Sequence, residues 1–397
     1  MKKVNIGFIG AGSFISCTHL PTAAATGYIN IAAIAELDDS IIDRHKSRYD
    51  VGYFTKDYKD ILKDPAIDIV VIGTKQDMHA KLIIEALDAG KWVWCEKPMC
   101  ETDEEALAII AAEERNPGRL AIGFNRRFAP GYTLVLEELS KRPRPWFVTY
   151  RVQMDNFDKK RNAQSFYFKR PAMVYEGCHF MDLASFIFKE APRRVYMSGA
   201  ENAENDCIIL EYKDGSRFQL LSTNTAGNGG LGKEFAEFFA ANFAAQVDDF
   251  TDVKLRGDYG VYDKIIPPAW GVFNEETLQY GYDFVESLRS TLAQPEKELL
   301  QARGLSLEKV VRGHSERPYE AQIDAIYEKL KDRHWTERVF QVDKGWEKAF
   351  QHFARAFLEQ TEPYNADGRA GKLANDIAYA LLESKKQRMP VEFNSSI

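Results

Sequence analysis

The stretch from Val4 to Glu36 constrains this chain most. Val4-Asn-Ile-Gly-Phe-Ile9 has the length and apolar continuity of a buried strand, Gly10-Ala-Gly12 reads as a tight turn, and Phe14 to Ala25 reads as the helix that follows. A second strand, Ile29 to Ala35, runs into Glu36. Glycines at a strand-to-helix turn let the backbone approach a pyrophosphate, and the helix start at Ser13, Phe14 and Ile15 presents N-H groups of partial positive charge toward it. Glu36 lies about two dozen positions beyond Gly12, the spacing at which a carboxylate bonds the ribose hydroxyls of a dinucleotide. Ile15 occupies the place of the pattern's third glycine, so closer helix packing is not expected there. These parts, in this order, predict a doubly wound parallel sheet that binds a dinucleotide. Glu36 favours NAD over NADP, because a carboxylate repels a 2'-phosphate; Asp38 and Asp39 add to the repulsion.

The alternation continues. Ile67 to Gly73 is another short buried strand, His79 to Ala89 a helix ended by Gly90, and Trp92-Val-Trp-Cys-Glu-Lys-Pro98 a strand that stops where proline forbids further pairing. Lys97 therefore sits at a strand's carboxyl end, the edge of a parallel sheet at which ligands bind. Beyond Ile122 the pattern changes. Trp146 to Val152, Cys207 to Tyr212 and Arg217 to Ser222 read as strands, with Lys213-Asp-Gly215 as a hairpin turn. Ile208, Leu210 and Tyr212 alternate as one buried face of an antiparallel sheet does. The expected organisation is a dinucleotide-binding domain over 1–122 and a second domain over 123–397. A mainly helical insertion at about 256–343 interrupts the latter, with Tyr319, Ile323, Ile326, Tyr327 and Leu330 along one helical stripe.

Composition narrows the class. With 397 residues, 45% of them hydrophobic, the chain has enough material for two cores. It has no apolar run long enough to span a bilayer, and its start runs into a strand without a signal-peptide core, so a cytoplasmic protein is expected. The 5 cysteines lack metal-ligand spacing, which predicts reduced thiols and no metal site. A balance of 52 basic against 59 acidic residues gives no electrostatic reason to expect nucleic acid.

Six short motifs occur in a fixed order: Gly7-Phe-Ile-Gly-Ala-Gly12, His19-Leu-Pro21, Thr74 with His79, Glu96-Lys97-Pro98, Gly123-Phe-Asn-Arg-Arg-Phe128, and Gly177-Cys-His-Phe-Met-Asp182. Together with the tail from Trp346 to Val391, this set resembles the Gfo/Idh/MocA family, the relatives of glucose-fructose oxidoreductase and inositol dehydrogenase. The resemblance implies an α/β chain with an N-terminal Rossmann domain and a second α/β domain built on a large, mostly antiparallel open sheet. It implies NAD(P)-dependent dehydrogenation of a sugar, a polyol or a derivative, and a homodimer or homotetramer formed through that sheet. It also places Gly10, Gly12, Ser13, Phe14, Ile15, Glu36, Thr74, His79, Glu96 and Lys97 around the cofactor. Asn125, Arg126 and Arg127 follow a strand into the cleft, where one arginine is expected to hold substrate or cofactor.

The chemistry then has named candidates. Removing hydride from a carbinol carbon leaves an oxygen that must lose its proton, so a base of suitable pKa is needed within reach. His179 is one candidate, with Asp182 three residues on along the helix predicted from Gly177 to Phe188 and expected to orient the imidazole. Lys97 is the other; it contacts the same oxygen or the nicotinamide ribose, its charge stabilising a developing alkoxide. The sequence leaves the roles of base and polariser interchangeable between them. Polyol-oxidising relatives often carry an aspartate four residues before the site histidine. Here that position is Tyr175, with Glu176 beside it, and Tyr175 either contacts a sugar hydroxyl, replaces the proton relay or packs as a plain aromatic. Lys75 stands where a proline often follows Thr74. Two other activities fit the same parts: a redox-assisted glycosidase with tightly held NAD, and a catalytically silent dinucleotide sensor. No motif specifies the substrate, its stereochemistry or the carbon oxidised.

Overall fold

Six short apolar runs pair in parallel in the computed structural model, which describes residues 2–153, 171–199, 205–223, 233–258, 260–266, 292–302 and 343–394. They are β1 (Val4–Ile9), β2 (Ile29–Ala35), β3 (Val51–Thr55), β4 (Ile69–Ile72), β5 (Trp92–Cys95) and β6 (Leu120–Ile122), in the order β3-β2-β1-β4-β5-β6. The central strands are buried almost throughout, as a sheet covered on both faces requires. The order reverses between β1 and β4, so the glycine turn after β1 and the loops after β4 and β5 meet at the crevice where such sheets bind ligands.

The helix expected over Phe14 to Ala25 is two helices, Ser13–Cys17 and His19–Ala25, broken at Thr18 (φ −123°, ψ −64°). Pro21 explains the break. It has no N-H to give the carbonyl of Cys17, and it is tolerated only within the first turn of a new helix. Ile15 nevertheless packs fully, because the missing glycine is supplied from the strand side. A Cβ on Gly73, just beyond β4, would lie 2.1 Å from Ile15 Cγ1.

The second sheet contains β7 (Phe147–Gln153), β8 (Arg194–Gly199), β9 (Asp206–Glu211), β10 (Arg217–Thr223), β11 (Glu234–Ala240), β12 (Phe243–Asp248), β13 (Asp252–Gly257), β14 (Gly260–Ile265) and β15 (Val391–Glu392). Its order is β14-β13-β12-β11-β7-β10-β9-β8-β15, and every described pair except β7 with β10 is antiparallel. Val148, Tyr150 and Val152 face the core while Phe147 is exposed, the alternation of a sheet with one covered face. The helix Gly368–Gln387 lies on β8 and against the helix Cys178–Phe188, whose Phe180 meets Tyr150.

Residues 256–265, read from sequence as the start of a helical insertion, continue the sheet instead as β13 and β14, joined at Gly260 (φ +98°). The helix Gln294–Ala302 falls within the expected insertion. The stripe from Tyr319 to Leu330 lies outside the described residues. The chain's last part returns to the first sheet. In the helix Trp346–Glu359, Phe350 meets Trp94 edge-on at 5.4 Å and Phe353 meets Trp92 at 5.4 Å, while Ala366 bridges to Ile122 of β6.

Candidate active site

The glycine turn is built for backbone approach. Gly10 has φ +82°, and a Cβ there would lie 2.9 Å from the Gly73 carbonyl, so only glycine is accommodated. A Cβ on Gly12 would meet nothing within 4 Å, which leaves the backbone open to a ligand. Glu36 anchors the turn from below. Its Oε2 accepts the Ala11 N-H at 2.9 Å, and its Oε1 accepts those of Leu37 at 2.7 Å and Asp38 at 3.1 Å. Ser13 opens the first helix, Ile15 is buried behind it, and Phe14 stands edge-on to His19 at 5.6 Å and to Trp346 at 5.9 Å. An open glycine turn with a carboxylate at its floor fits a dinucleotide's pyrophosphate and adenosine ribose.

The loops after β4 and β5 are tied to each other. His79 sets Nδ1 2.7 Å from the Pro98 carbonyl and Nε2 3.2 Å from that of Thr74, and it is buried, so it braces the two loops. Glu96 receives His19 Nε2 at 2.6 Å and the Trp94 N-H at 3.1 Å on the same oxygen. Burial pulls its pKa upward, but His19, Trp94 and the Lys97 charge outweigh that and hold it below the usual range. The glycine of the Gly123-Phe-Asn-Arg-Arg-Phe128 run follows from this carboxylate, since a Cβ on Gly123 would lie 2.8 Å from Glu96 Oε1.

Lys97 reaches from the first sheet to the second. Its Nζ donates to the Tyr175 carbonyl at 3.0 Å and to Glu176 Oε1 at 3.0 Å. Burial favours the neutral amine, yet the Glu176 charge and hydrogen bond outweigh it, so the pKa stays above that of an ordinary lysine. Tyr175 meets Lys97 through its backbone, and its ring is buried at 6% exposure. His179, second in the helix Cys178–Phe188, packs edge-on against Phe124 at 5.9 Å. Burial, then the charges of Arg126, Lys97, Lys344 and Lys233, push its pKa well below the ordinary histidine value. The imidazole is therefore neutral at neutral pH, and its Nδ1 has no hydrogen-bond partner among the described residues.

Asp182 does not orient that ring. Arg127 Nε donates to Asp182 Oδ2 at 2.9 Å and a second nitrogen donates to Oδ1. A bidentate guanidinium is a far better partner for a buried carboxylate than a neutral imidazole. Arg126 is committed likewise. It donates to both oxygens of Glu234, at 2.9 and 2.7 Å, and Glu234 also accepts the Tyr150 hydroxyl and Lys344 Nζ at 3.3 Å. Neither arginine is thus held free for substrate. Asn125 Nδ2 donates to the Lys344 carbonyl at 2.7 Å, which brings the segment after residue 342 against the cleft.

Glu176, Glu234 and Lys344 belong to this cluster, and no motif announced the last two. Glu234 carried a signal in its register, for it shares the inward face of β11 with Ala236 and Phe238, where a charge requires a partner. Gly345 carried another. It has φ +84°, and a Cβ there would lie 2.5 Å from the Ala129 nitrogen.

Residues 4–124 match the model of the Gfo/Idh/MocA oxidoreductases, described as an oxidoreductase family with an NAD-binding Rossmann fold. Over that stretch the chain is similar to the Gfo/Idh/MocA family. YrbE, an uncharacterised oxidoreductase of Bacillus subtilis strain 168, is 30% identical over 204 residues, 50% of this chain and 58% of that protein. The inositol 2-dehydrogenase/D-chiro-inositol 3-dehydrogenase of Lactiplantibacillus plantarum is 22% identical over 222 residues, 53% of this chain and 62% of that protein. The matches thus span less than two thirds of the length of these relatives. The crystal structure of myo-inositol 2-dehydrogenase from Lactobacillus plantarum shares the fold, with a TM-score of 0.68 at 16% identity over 99% of this chain and 100% of that one. The matched region holds the glycine turn, Glu36, Thr74, His79 and Lys97, whereas Glu176 and His179 lie beyond it. Among the described residues no helix is long and apolar enough to cross a membrane.

Proposed function

We propose that this chain is an NAD-dependent dehydrogenase that moves hydride between the nicotinamide and a carbinol carbon of a sugar, polyol or sugar derivative. We read it as a cytoplasmic homo-oligomer. The observation that carries the proposal is the Lys97 ammonium, anchored 3.0 Å from two acceptors on the turn that precedes His179. A fixed cation from one sheet and a neutral imidazole from the other are thereby assembled in one cleft. Inositol dehydrogenases among the relatives support a polyol-type substrate.

When bound, NAD supplies the hydride acceptor. The glycine turn and Glu36 would hold its pyrophosphate and adenosine ribose, and the Glu36 carboxylate disfavours a 2'-phosphate. Lys97, held charged by Glu176, does not accept a proton; it stabilises negative charge that develops on the substrate oxygen. His179, held neutral, is the proton acceptor. Because its pKa is depressed well below the ordinary histidine value, the base form already predominates at pH 6.5. Oxidation is therefore expected to keep a level kcat/KM between about pH 6.5 and 8 and to fall only on a more acid limb. A bell centred on an ordinary histidine pKa would contradict this assignment.

The test is a panel of sugars, polyols and sugar nucleotides offered with NAD or NADP while reduced cofactor is followed. Reduced NAD with at least one substrate, and weaker binding of NADP, are the expected results. Hydrolysed products without net reduced cofactor, or dinucleotide binding with no turnover on any substrate, would replace the dehydrogenase reading.

A further inference from the structure

We propose that Glu176 is a positioning residue that fixes the Lys97 ammonium and thereby assigns the two roles in the site, polariser to Lys97 and proton acceptor to His179. Its catalytic consequence rests on the dehydrogenase reading above.

The argument begins with donor counting. An ammonium has three N-H donors. The Tyr175 carbonyl and Glu176 Oε1 take two of them at 3.0 Å each, which leaves one for the reacting oxygen. The two acceptors are consecutive, Tyr175 ending the helix Ala172–Tyr175 and Glu176 opening the tight turn to the helix Cys178–Phe188. The same turn starts the helix of His179, whose N-H donates to the Glu176 carbonyl at 3.2 Å. Gly177 lets the turn close, since a Cβ there would lie 2.4 Å from the Met173 carbonyl oxygen. Glu176 thus holds the lysine with its side chain and the histidine's helix with its backbone.

The other carboxylates nearby have different work. Glu234 is filled by Arg126, Tyr150 and Lys344, Asp182 is paired with Arg127, and Glu96 takes His19 and Trp94 on its Oε1. The Lys97 and Glu176 side chains are 19% and 29% exposed, so their pair is poorly solvated and still reachable from the cleft. Without the Glu176 charge, burial would act on Lys97 with only the more distant charge of Glu96 and the Cys178 thiol against it. The amine would then lose its proton more easily, and the Tyr175 carbonyl alone would be left to hold it in place.

Glu176→Gln and Glu176→Asp in the full chain test this. The first readout needs no substrate: the pH dependence of Lys97 acylation by acetic anhydride, read by peptide mass spectrometry. Wild-type Lys97 is expected to resist acylation near neutrality. In Glu176→Gln its titration should move down by at least one pH unit, about a tenfold gain in reactivity at fixed pH. Glu176→Asp, which keeps the charge but withdraws it by one methylene, should move it less and in the same direction. The second readout is turnover on a substrate from the panel. Glu176→Gln should lower kcat at nearly unchanged NAD affinity and bring an alkaline limb toward neutrality, and Glu176→Asp should restore part of both. A wild-type Lys97 titration in Glu176→Gln, or a pH profile that does not move, would overturn the proposal. If Glu176→Gln fails to fold, the Lys97 titration of Glu176→Asp decides alone. Failure of every substrate would sink the dehydrogenase reading and leave the acylation result to judge Glu176.

Discussion

Ile15 and Gly73 exchange the places that a dinucleotide turn ordinarily gives to side chain and space, with the bulk on the helix and the room on the strand, where a Cβ would come within 2.1 Å of Ile15 Cγ1. Gly73→Ala is expected to cost about 1–3 kcal/mol by overpacking, and Ile15→Ala about 2–4 kcal/mol by leaving a cavity. The double variant should lose less than the sum, because each change relieves the other. Urea midpoints measure this, and strict additivity would mean that the two residues do not share space. The glycine turn, Glu36 and Lys97 were legible in sequence because their spacing along the chain is their function. The partner of Ile15 was not, since nothing local ties it to Gly73. Asp182 is the same lesson in the site. Helix spacing puts it on a face with His179, but Arg127 arrives from a distant turn and takes both oxygens. Asp182→Asn should therefore act chiefly on stability, by about 3 kcal/mol for a broken buried pair, rather than on the pH profile of turnover. A shifted acid limb in that variant would restore Asp182 as a partner of the imidazole.

At the scale of elements, the helix Asp103–Arg115 ends against the helix Gly368–Gln387, and Glu113 joins them by accepting the Gly368 N-H at 2.9 Å. Burial, followed by the charge of Asp367, raises the Glu113 pKa to about 7. A folded-state pKa raised above the unfolded one means that the folded chain binds the proton more tightly. Its contribution to stability is then full below about pH 4.5 and is lost as pH rises through about 7. Glu113→Gln should flatten the fall in thermal midpoint between pH 5 and 8; an unchanged slope would assign that fall to other groups. Strand periods made β1, β2, β4 and β5 of the first sheet and β7, β9 and β10 of the second legible, and proline made the break at Thr18 legible in principle. Residues 256–265 were misassigned because edge strands such as β14 alternate weakly when much of their surface faces solvent.

For the whole molecule, the nine-stranded sheet leaves a face opposite its helices on which Phe147, Leu221, Phe239 and Val261 are exposed. We propose that this face forms the interface of a homodimer or homotetramer. Light scattering should return a multiple of the 45.2 kDa chain mass, and Leu221→Lys with Phe239→Lys should return the monomer; a wild-type monomer would remove the idea. The candidate chemistry likewise belongs to the molecule as a whole, for Lys97 comes from one sheet and Glu176 with His179 from elements packed on the other. NAD titration and turnover of Lys97→Ala and His179→Ala, on a substrate found by the panel, test that account most directly. Both variants, shown to be folded, should bind NAD as the wild type does, because the glycine turn and Glu36 hold it. Each should lose about 10² to 10⁴ in turnover, and the double variant less than the product of the two, since both act on one oxygen. Wild-type turnover in both single variants would contradict the account.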